Sequence, residues 1–205
     1  MAAGDDLEAK VTRWREALAP HVRPAPPLDW DRAALLVIDP QVQFSAMLEP
    51  ILPNLRSVID AFRSRRRPVV FTRHRHLDPA ADAGMLGEWW DAVLIDGSPE
   101  AELIPQLRPQ PEDLLIEKDR YSAFLRTRLD RELSSRYIRD LVVGGVMTNL
   151  CCETTARDAF MRDFRVFFLL DGTATCREEY HLASLRNLAY GFAYLVACSE
   201  ILPDR

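Results

Sequence analysis

The chain is 205 residues long, 48% hydrophobic and 28% charged, and carries a formal net charge of −5 at pH 7. That length suits one domain with at most a short extension, and the composition is that of a soluble protein able to bury a full core. No run approaches the roughly 18 to 20 apolar residues that cross a bilayer, and no basic stripe tracks phosphates, so neither membrane nor nucleic acid is expected as a partner.

Residues 6–19 place Leu7, Val11, Trp14 and Leu18 at helical spacing. Such an apolar stripe must dock on something, and here it suggests contact with another subunit. Pro20 ends the helix, and residues 21–27, with three prolines, read as an extended surface connector. The N-terminal stretch is charged throughout and lacks an apolar signal core, which points to the cytoplasm. The expected division is residues 1–29 as helix and connector and residues 30–205 as the main domain. Residues 33–38 are a continuous apolar run closing on Asp39-Pro40, the pattern of a strand buried on both faces. Asp39 then reads either as a functional carboxylate at the ligand-binding edge of an open sheet or as a cap before Pro40.

Residues 52–66 form an amphipathic helix, with Leu55, Val58, Ile59 and Phe62 on one face, that leads through Pro68 into a second strand at 69–72. That strand runs into Thr72-Arg73-His74-Arg75-His76, which holds half of the four histidines. Two histidines at i and i+2 on extended backbone point the same way and could share a metal. No third ligand stands nearby in sequence, so pocket lining is the favoured role and no metal or other cofactor is expected. Residues 78–95 combine a glycine-containing loop with a short helix bearing Trp89 and Trp90. Adjacent tryptophans cannot both face one core, so one is expected in a pocket or a subunit interface. Residues 114–116 form a third strand with Lys118 at its C-terminal end, and a helix over about 126–135 leads back to the sheet.

Residues 141–160 read LVVGGVMTNLCCETTARDAF. A short aliphatic strand breaks at Gly144-Gly145, and helix formers follow from Thr148 onward, so Cys151 is expected in the first turn of a helix. There the positive end of the helix dipole favours thiolate, and free N–H groups could hold an oxyanion. The alternative is that Cys151 and Cys152 are small buried packing residues. Four cysteines without a CxxC pair suggest neither a disulfide framework nor a zinc knuckle. A fifth strand at 166–170, a helix at 178–192 and a final short strand complete the pattern. Strands alternating with helices specify an α/β fold, here a three-layer α/β/α sandwich around a mostly parallel, Rossmann-like sheet of about six strands.

Asp39, Lys118 and Cys151 each follow a hydrophobic strand, and in a parallel sheet those ends share one edge. An acid, a base and a thiol can therefore converge. The pieces ALLVIDPQVQF, EKDRYSAF, GVMTNLCCETTARDAF and LLDGTAT, in this order, resemble the successive signatures of the isochorismatase-like hydrolases over nearly the whole chain after about Trp30. The resemblance to the cysteine branch of that family implies a catalytic triad of Asp39, Lys118 and Cys151. It also implies a non-proline cis peptide at Val146-Met147 and an oxyanion hole made by backbone N–H groups of Met147 or Thr148 with Cys151. Position in the signatures puts Gln41, Phe44, His74, Trp90 and Tyr121 in a substrate pocket. The implied activity is hydrolysis of a C–N bond in a small amide or carbamoyl-type substrate through a thioester on Cys151, in an enzyme that is usually a homodimer or larger homo-oligomer.

Two departures bear on the substrate. The metal site of the family's nicotinamidases needs an aspartate-x-histidine followed by a second histidine, whereas this chain has His74-x-His76 and no later histidine until His181, which argues against that activity. The vinyl-ether hydrolases have glycine where Cys151 stands, and an arginine and a tyrosine where this chain has Ala83 and Met147. Arg73, Arg75 and Arg120 are then the candidates to meet a carboxylate-rich substrate. The alternatives to an amidohydrolase are a vinyl-ether hydrolase with Asp39 as general acid and Cys151 a bystander, and a non-catalytic binding or docking module.

Overall fold

The computed structural model describes residues 3–202. Six strands, β1 (Ala33–Ile38), β2 (Val69–His74), β3 (Leu114–Lys118), β4 (Asp140–Val146), β5 (Arg165–Ala174) and β6 (Tyr194–Val196), form one sheet in the order β3-β2-β1-β4-β5-β6. Every pairing is parallel. The α-helices are α1 (Ala3–Leu18), α2 (Ser45–Leu48), α3 (Leu52–Ser64), α4 (Pro79–Asp82), α5 (Met85–Trp89), α6 (Leu129–Ser134), α7 (Glu153–Phe160), α8 (Glu178–Gly191) and α9 (Cys198–Ile201). Among the described residues no helix is long and apolar enough to cross a membrane.

The period of two in β1 sorts the core. Ala34, Leu36 and Ile38 face a cluster with residues of α1, α6, α7 and α8, while Ala33, Leu35 and Val37 face one built with α2, α3 and α9. Helices thus cover both faces, as the continuous apolar run of a doubly buried strand requires. On α3, Leu55, Val58, Ile59 and Phe62 are the buried stripe.

Two local expectations are corrected. The Gly144-Gly145 pair does not break β4, which continues to Val146. Gly145 has φ +113°, and a Cβ there would lie 2.2 Å from the Ile38 carbonyl oxygen, so glycine is required by the close approach of β1, not by a turn. The apolar stripe of α1 also has its partners within the chain: Trp14 and Leu18 are buried in the first core cluster, and Leu7 and Val11 pack against it.

The strand order reverses direction beside β1, between β1 and β4. That switch point opens a crevice at the C-terminal edge of the sheet, where open α/β folds bind ligands. Residues from β1, β2, β3 and the segment after β4 meet there.

Candidate active site

Asp39 is the first residue after β1, and its φ of +46° turns the carboxylate out of the strand. Its side chain is fully buried and doubly held. Thr72 on β2 donates its hydroxyl to Oδ1 at 2.5 Å, and the Asp39 backbone N–H donates to the same hydroxyl oxygen at 2.9 Å. Lys118 ends β3, in register with His74, and its Nζ donates to Asp39 Oδ2 at 2.7 Å. The same ammonium lies 3.4 Å from Cys151 Sγ and 3.0 Å from the Arg120 carbonyl oxygen. Sequence reasoning therefore places the acid, the ammonium and the thiol at three strand ends, and the structure brings them into contact.

Cys151 is carried on a π-helical turn, Thr148–Cys152, wound by N–H groups of Leu150 and Cys152 converging on the Met147 carbonyl at 3.1 and 3.2 Å. The Val146-Met147 peptide that precedes it is cis. Such wide turns recur at functional sites because they re-aim one side chain without ending the helix, and α7 continues at once.

Charge at this floor is set by burial and by one cation. Burial, the largest single influence, would raise Asp39, but the Lys118 ammonium, His74 and the Thr72 hydroxyl together hold the carboxyl below the usual range. Burial would likewise neutralise Lys118, yet Asp39 and Cys151 keep it charged, with its pKa raised. The thiol goes the other way. Burial pushes Cys151 up to about 12, with Lys118 opposing and the Asp39 carboxylate reinforcing. At 8% exposure beside a carboxylate, the sulfur is held toward its protonated form until a base takes the proton.

His74 extends the network. Its Nδ1 lies 3.4 Å from Lys118 Nζ, its Nε2 3.2 Å from His76 Nε2, and His76 Nδ1 lies 2.8 Å from Asp82 Oδ1. An ammonium only donates and a carboxylate only accepts, so the chain has one consistent direction: His74 accepts at Nδ1 and donates from Nε2, and His76 donates from Nδ1 to Asp82. Burial, with Lys118 next, lowers His74 to about 4 and keeps it neutral. Among the described residues, Asp39, His74 and Cys151 are the group whose donor atoms fall within 4.8 Å of one another as a metal cage would need. Lys118 Nζ already bonds to all three, so the place of a cation is taken by an ammonium. Asp82 and Thr72 carried no sequence signal. Only a partner brought close by folding gives them a role.

Above the floor lies a cavity of about 570 Å³ lined by Asp39, His74 and Cys151 and by Phe44, Trp90 and Tyr121. Met147, Leu86, Val93 and Ile95 supply further apolar wall. Trp90 donates its indole N–H to the Tyr121 hydroxyl at 2.8 Å across the rim, whereas Trp89 is 75% exposed. Of the expected pocket residues Gln41 alone lies elsewhere. Its amide is buried, donating to the His74 and Ala101 carbonyls and accepting the His74 N–H, so it ties the ends of β1 and β2 together. Among the described residues no arginine lines the cavity. The alternation of β2 turns Arg73 and Arg75 to the face opposite His74, where they pair with Glu117 and Asp96, and Arg120 donates to the Asp82 and Asp119 carbonyls. The three candidate carboxylate partners are thus engaged away from the cavity.

Comparison with known proteins gives a match to the isochorismatase domain over residues 33–200. A relative from Arabidopsis thaliana named Nicotinamidase 3 is 52% identical over 172 residues, covering 82% of this chain and 86% of its own. The crystal structure of a cysteine hydrolase from Pseudomonas syringae pv. phaseolicola superposes with a TM-score of 0.81 at 29% identity, covering 88% of this chain and 94% of that one. The structure of N-carbamoylsarcosine amidase from Thermoplasma acidophilum gives a TM-score of 0.71 at 26% identity, with 82% and 96% covered.

Proposed function

The chain belongs to the isochorismatase family, and on that premise we propose that it is a cysteine amidohydrolase with Asp39, Lys118 and Cys151 as its catalytic residues and a small, uncharged amide as its substrate. The observation that carries this reading is the position of Lys118 Nζ, 2.7 Å from Asp39 Oδ2 and 3.4 Å from Cys151 Sγ at the floor of the cavity. Asp39 takes the thiol proton, and the sulfur attacks the amide carbonyl carbon. The carbonyl π pair moves to oxygen, where backbone N–H groups of Met147 or Thr148 and Cys151 stabilise it. The C–N bond then breaks, the nitrogen leaves with the proton from Asp39, and a thioester remains. Water gives a proton to Asp39 as its oxygen attacks the thioester, and the thiolate leaves and regains the proton. The balance is amide plus water to acid plus amine. Lys118 holds the negative charge that passes between carboxylate and sulfur, so neither is left unpaired in the dry floor.

The cavity supports an uncharged substrate. Its wall is largely apolar, its charged lining residues are the carboxylates Asp39 and Glu100, and among the described residues no arginine faces it to meet a substrate carboxylate. N-Carbamoylsarcosine carries such a carboxylate; nicotinamide does not. The exclusion of nicotinamide drawn from His74 is withdrawn, since a chain 52% identical bears the name Nicotinamidase 3. We place the enzyme in the cytoplasm, because its four cysteines are free, as a reducing compartment keeps them. We further propose a homodimer or larger homo-oligomer, supported by exposed Met85, Trp89 and Ile95 near the cavity mouth.

The test is a panel of amides assayed for release of ammonia, nicotinamide and benzamide beside N-carbamoylsarcosine, with acid-quenched protein weighed for a Cys151 acyl adduct. Turnover of the uncharged amides with an adduct that disappears in Cys151→Ala supports the reading. Turnover of vinyl ethers retained in Cys151→Ala would establish the general-acid alternative instead, and no turnover of any substrate would favour a binding module.

A further inference from the structure

The turn that carries Cys151 is held from behind by side chains that reach back to α1. His181 on α8 is 3% exposed, and its Nε2 lies 3.1 Å from the Leu170 carbonyl oxygen, which can only accept. Nε2 therefore carries the proton, and Nδ1 is an acceptor. The Thr148 hydroxyl, fully buried, lies 2.9 Å from Nδ1 and must donate to it. Ser184, one turn along α8, shares its single hydroxyl proton between the Glu153 carboxylate at the start of α7 and the Thr148 carbonyl oxygen, 3.2 Å away. The first residue of the π-helical turn is thus bonded to α8 at side chain and backbone. The open face of the His181 ring is covered by Trp14, with centroids 4.5 Å apart and planes inclined by 47°. Trp14 is itself fixed by its indole N–H, which donates to Glu178 at 2.8 Å. Burial lowers His181 to about 4, so Nδ1 stays an acceptor at neutral pH.

We propose that Trp14 and His181 are positioning residues for hydrolysis: α1, which lies before the family-matched residues 33–200, sets the direction of the Cys151 sulfur through His181 and Thr148. The physical reason is exclusion of water. With Trp14 over the ring, the donor at Nδ1 among the described residues is the Thr148 hydroxyl. Without it, water competes for Nδ1, and the turn loses the bond that fixes its first residue. A sulfur displaced by about an ångström loses much of its attack rate, while the cavity wall that binds the substrate is untouched. The inference rests on Cys151 being the nucleophile.

The experiment compares kcat and KM of Trp14→Ala, Trp14→Phe, His181→Leu, His181→Gln and Thr148→Val on the best uncharged amide, with Cys151→Ala as reference. Trp14→Ala, His181→Leu and Thr148→Val are expected to lower kcat about tenfold with KM within about twofold. Trp14→Phe keeps a ring over His181, and Gln at 181 keeps both an acceptor and a donor, so each should recover most of kcat. The double variant Thr148→Val/His181→Leu should be no slower than either single one, because both break the same bond. Folded variants whose kcat stays within about twofold of wild type, or a double variant whose losses multiply, would overturn the proposal. Thr148→Val is nearly isosteric and keeps the question decidable if a Trp14 variant does not fold. Turnover retained in Cys151→Ala would overturn the nucleophile itself, an outcome separate from equal kcat in the α1 variants.

Discussion

The floor and the rim of the cavity are built on different principles. At the floor, Asp39, Thr72, Lys118 and Cys151 are each 8% exposed or less, sit on β2, at the ends of β1 and β3 and on the turn after β4, and bond to one another. At the rim, Met85, Trp89, Trp90 and Ile95 are 43 to 75% exposed and ride on one short helix and the turns after it. A buried ion pair leaves little room to drift, because any displacement strands a charge out of water. An exposed tryptophan can be exchanged with little consequence for the fold. Chemistry is thus assigned to the part of the molecule that cannot change, and selectivity to the part that can.

The comparison breaks most directly at Cys151. Cys151→Ala should remove at least about 10⁴-fold of amide turnover while leaving the melting temperature nearly unchanged, since it deletes one buried sulfur. Retention of turnover would mean that the floor works without a nucleophile. Lys118→Met comes next. It leaves the Asp39 carboxylate buried without its counter-ion, a loss of about 3–5 kcal/mol by urea denaturation. Iodoacetamide should then label Cys151 more slowly than in wild type, because the one group that lowers its pKa is gone. Faster labelling would show that Lys118 does not stabilise the thiolate.

The floor was largely legible in the sequence, and the reason is geometrical. A parallel sheet sends every strand end to the same edge, so finding the apolar runs that precede Asp39, Lys118 and Cys151 was enough to bring them together. Asp82, Thr72 and His181 were not found, because each acts through a partner whose proximity depends on folding. Gly144-Gly145 was misread for a related reason. Two glycines in sequence look alike whether a chain turns or another backbone presses on it, and only the contact with Ile38 distinguishes these. At Cys151 the sequence reveals a helix start but not the depth of burial that pushes the thiol up. Arg73 and Arg75 failed by alternation: one residue of offset along β2 sends them to the opposite face from His74.

Acid separates the two regions next. His74 and His181 are both lowered to about 4 by burial, against an ordinary value of about 6.5. Between those values the unfolded chain binds protons that the folded chain does not, so stability falls as pH falls through that window. The groups that face His74 are Lys118, Asp39, His76 and Asp119, and Glu178 faces His181. Each histidine should contribute about 3 kcal/mol of loss by pH 4, seen in urea midpoints measured from pH 7 downward. His181→Gln should flatten that dependence by roughly half. An unchanged slope would mean that His181 takes up its proton equally in the folded and the unfolded chain.

The smallest effects belong at the rim, and they distinguish the adjacent tryptophans. Trp90 lines the cavity and donates to Tyr121, so Trp90→Ala removes one wall and frees the phenol opposite. KM for an aromatic amide should rise about tenfold, the scale of one aromatic contact, with kcat within about threefold because the floor is untouched. Trp89 does not line the cavity and is 75% exposed, so Trp89→Ala should leave both constants unchanged. Its expected effect is on assembly. Light scattering should show a smaller particle for Trp89→Ala than for wild type if this indole is buried between copies, and the same mass if it is not. A fall in kcat for Trp90→Ala as large as the rise in KM would mean that the rim also orients the scissile bond, and the division between the two regions would not hold.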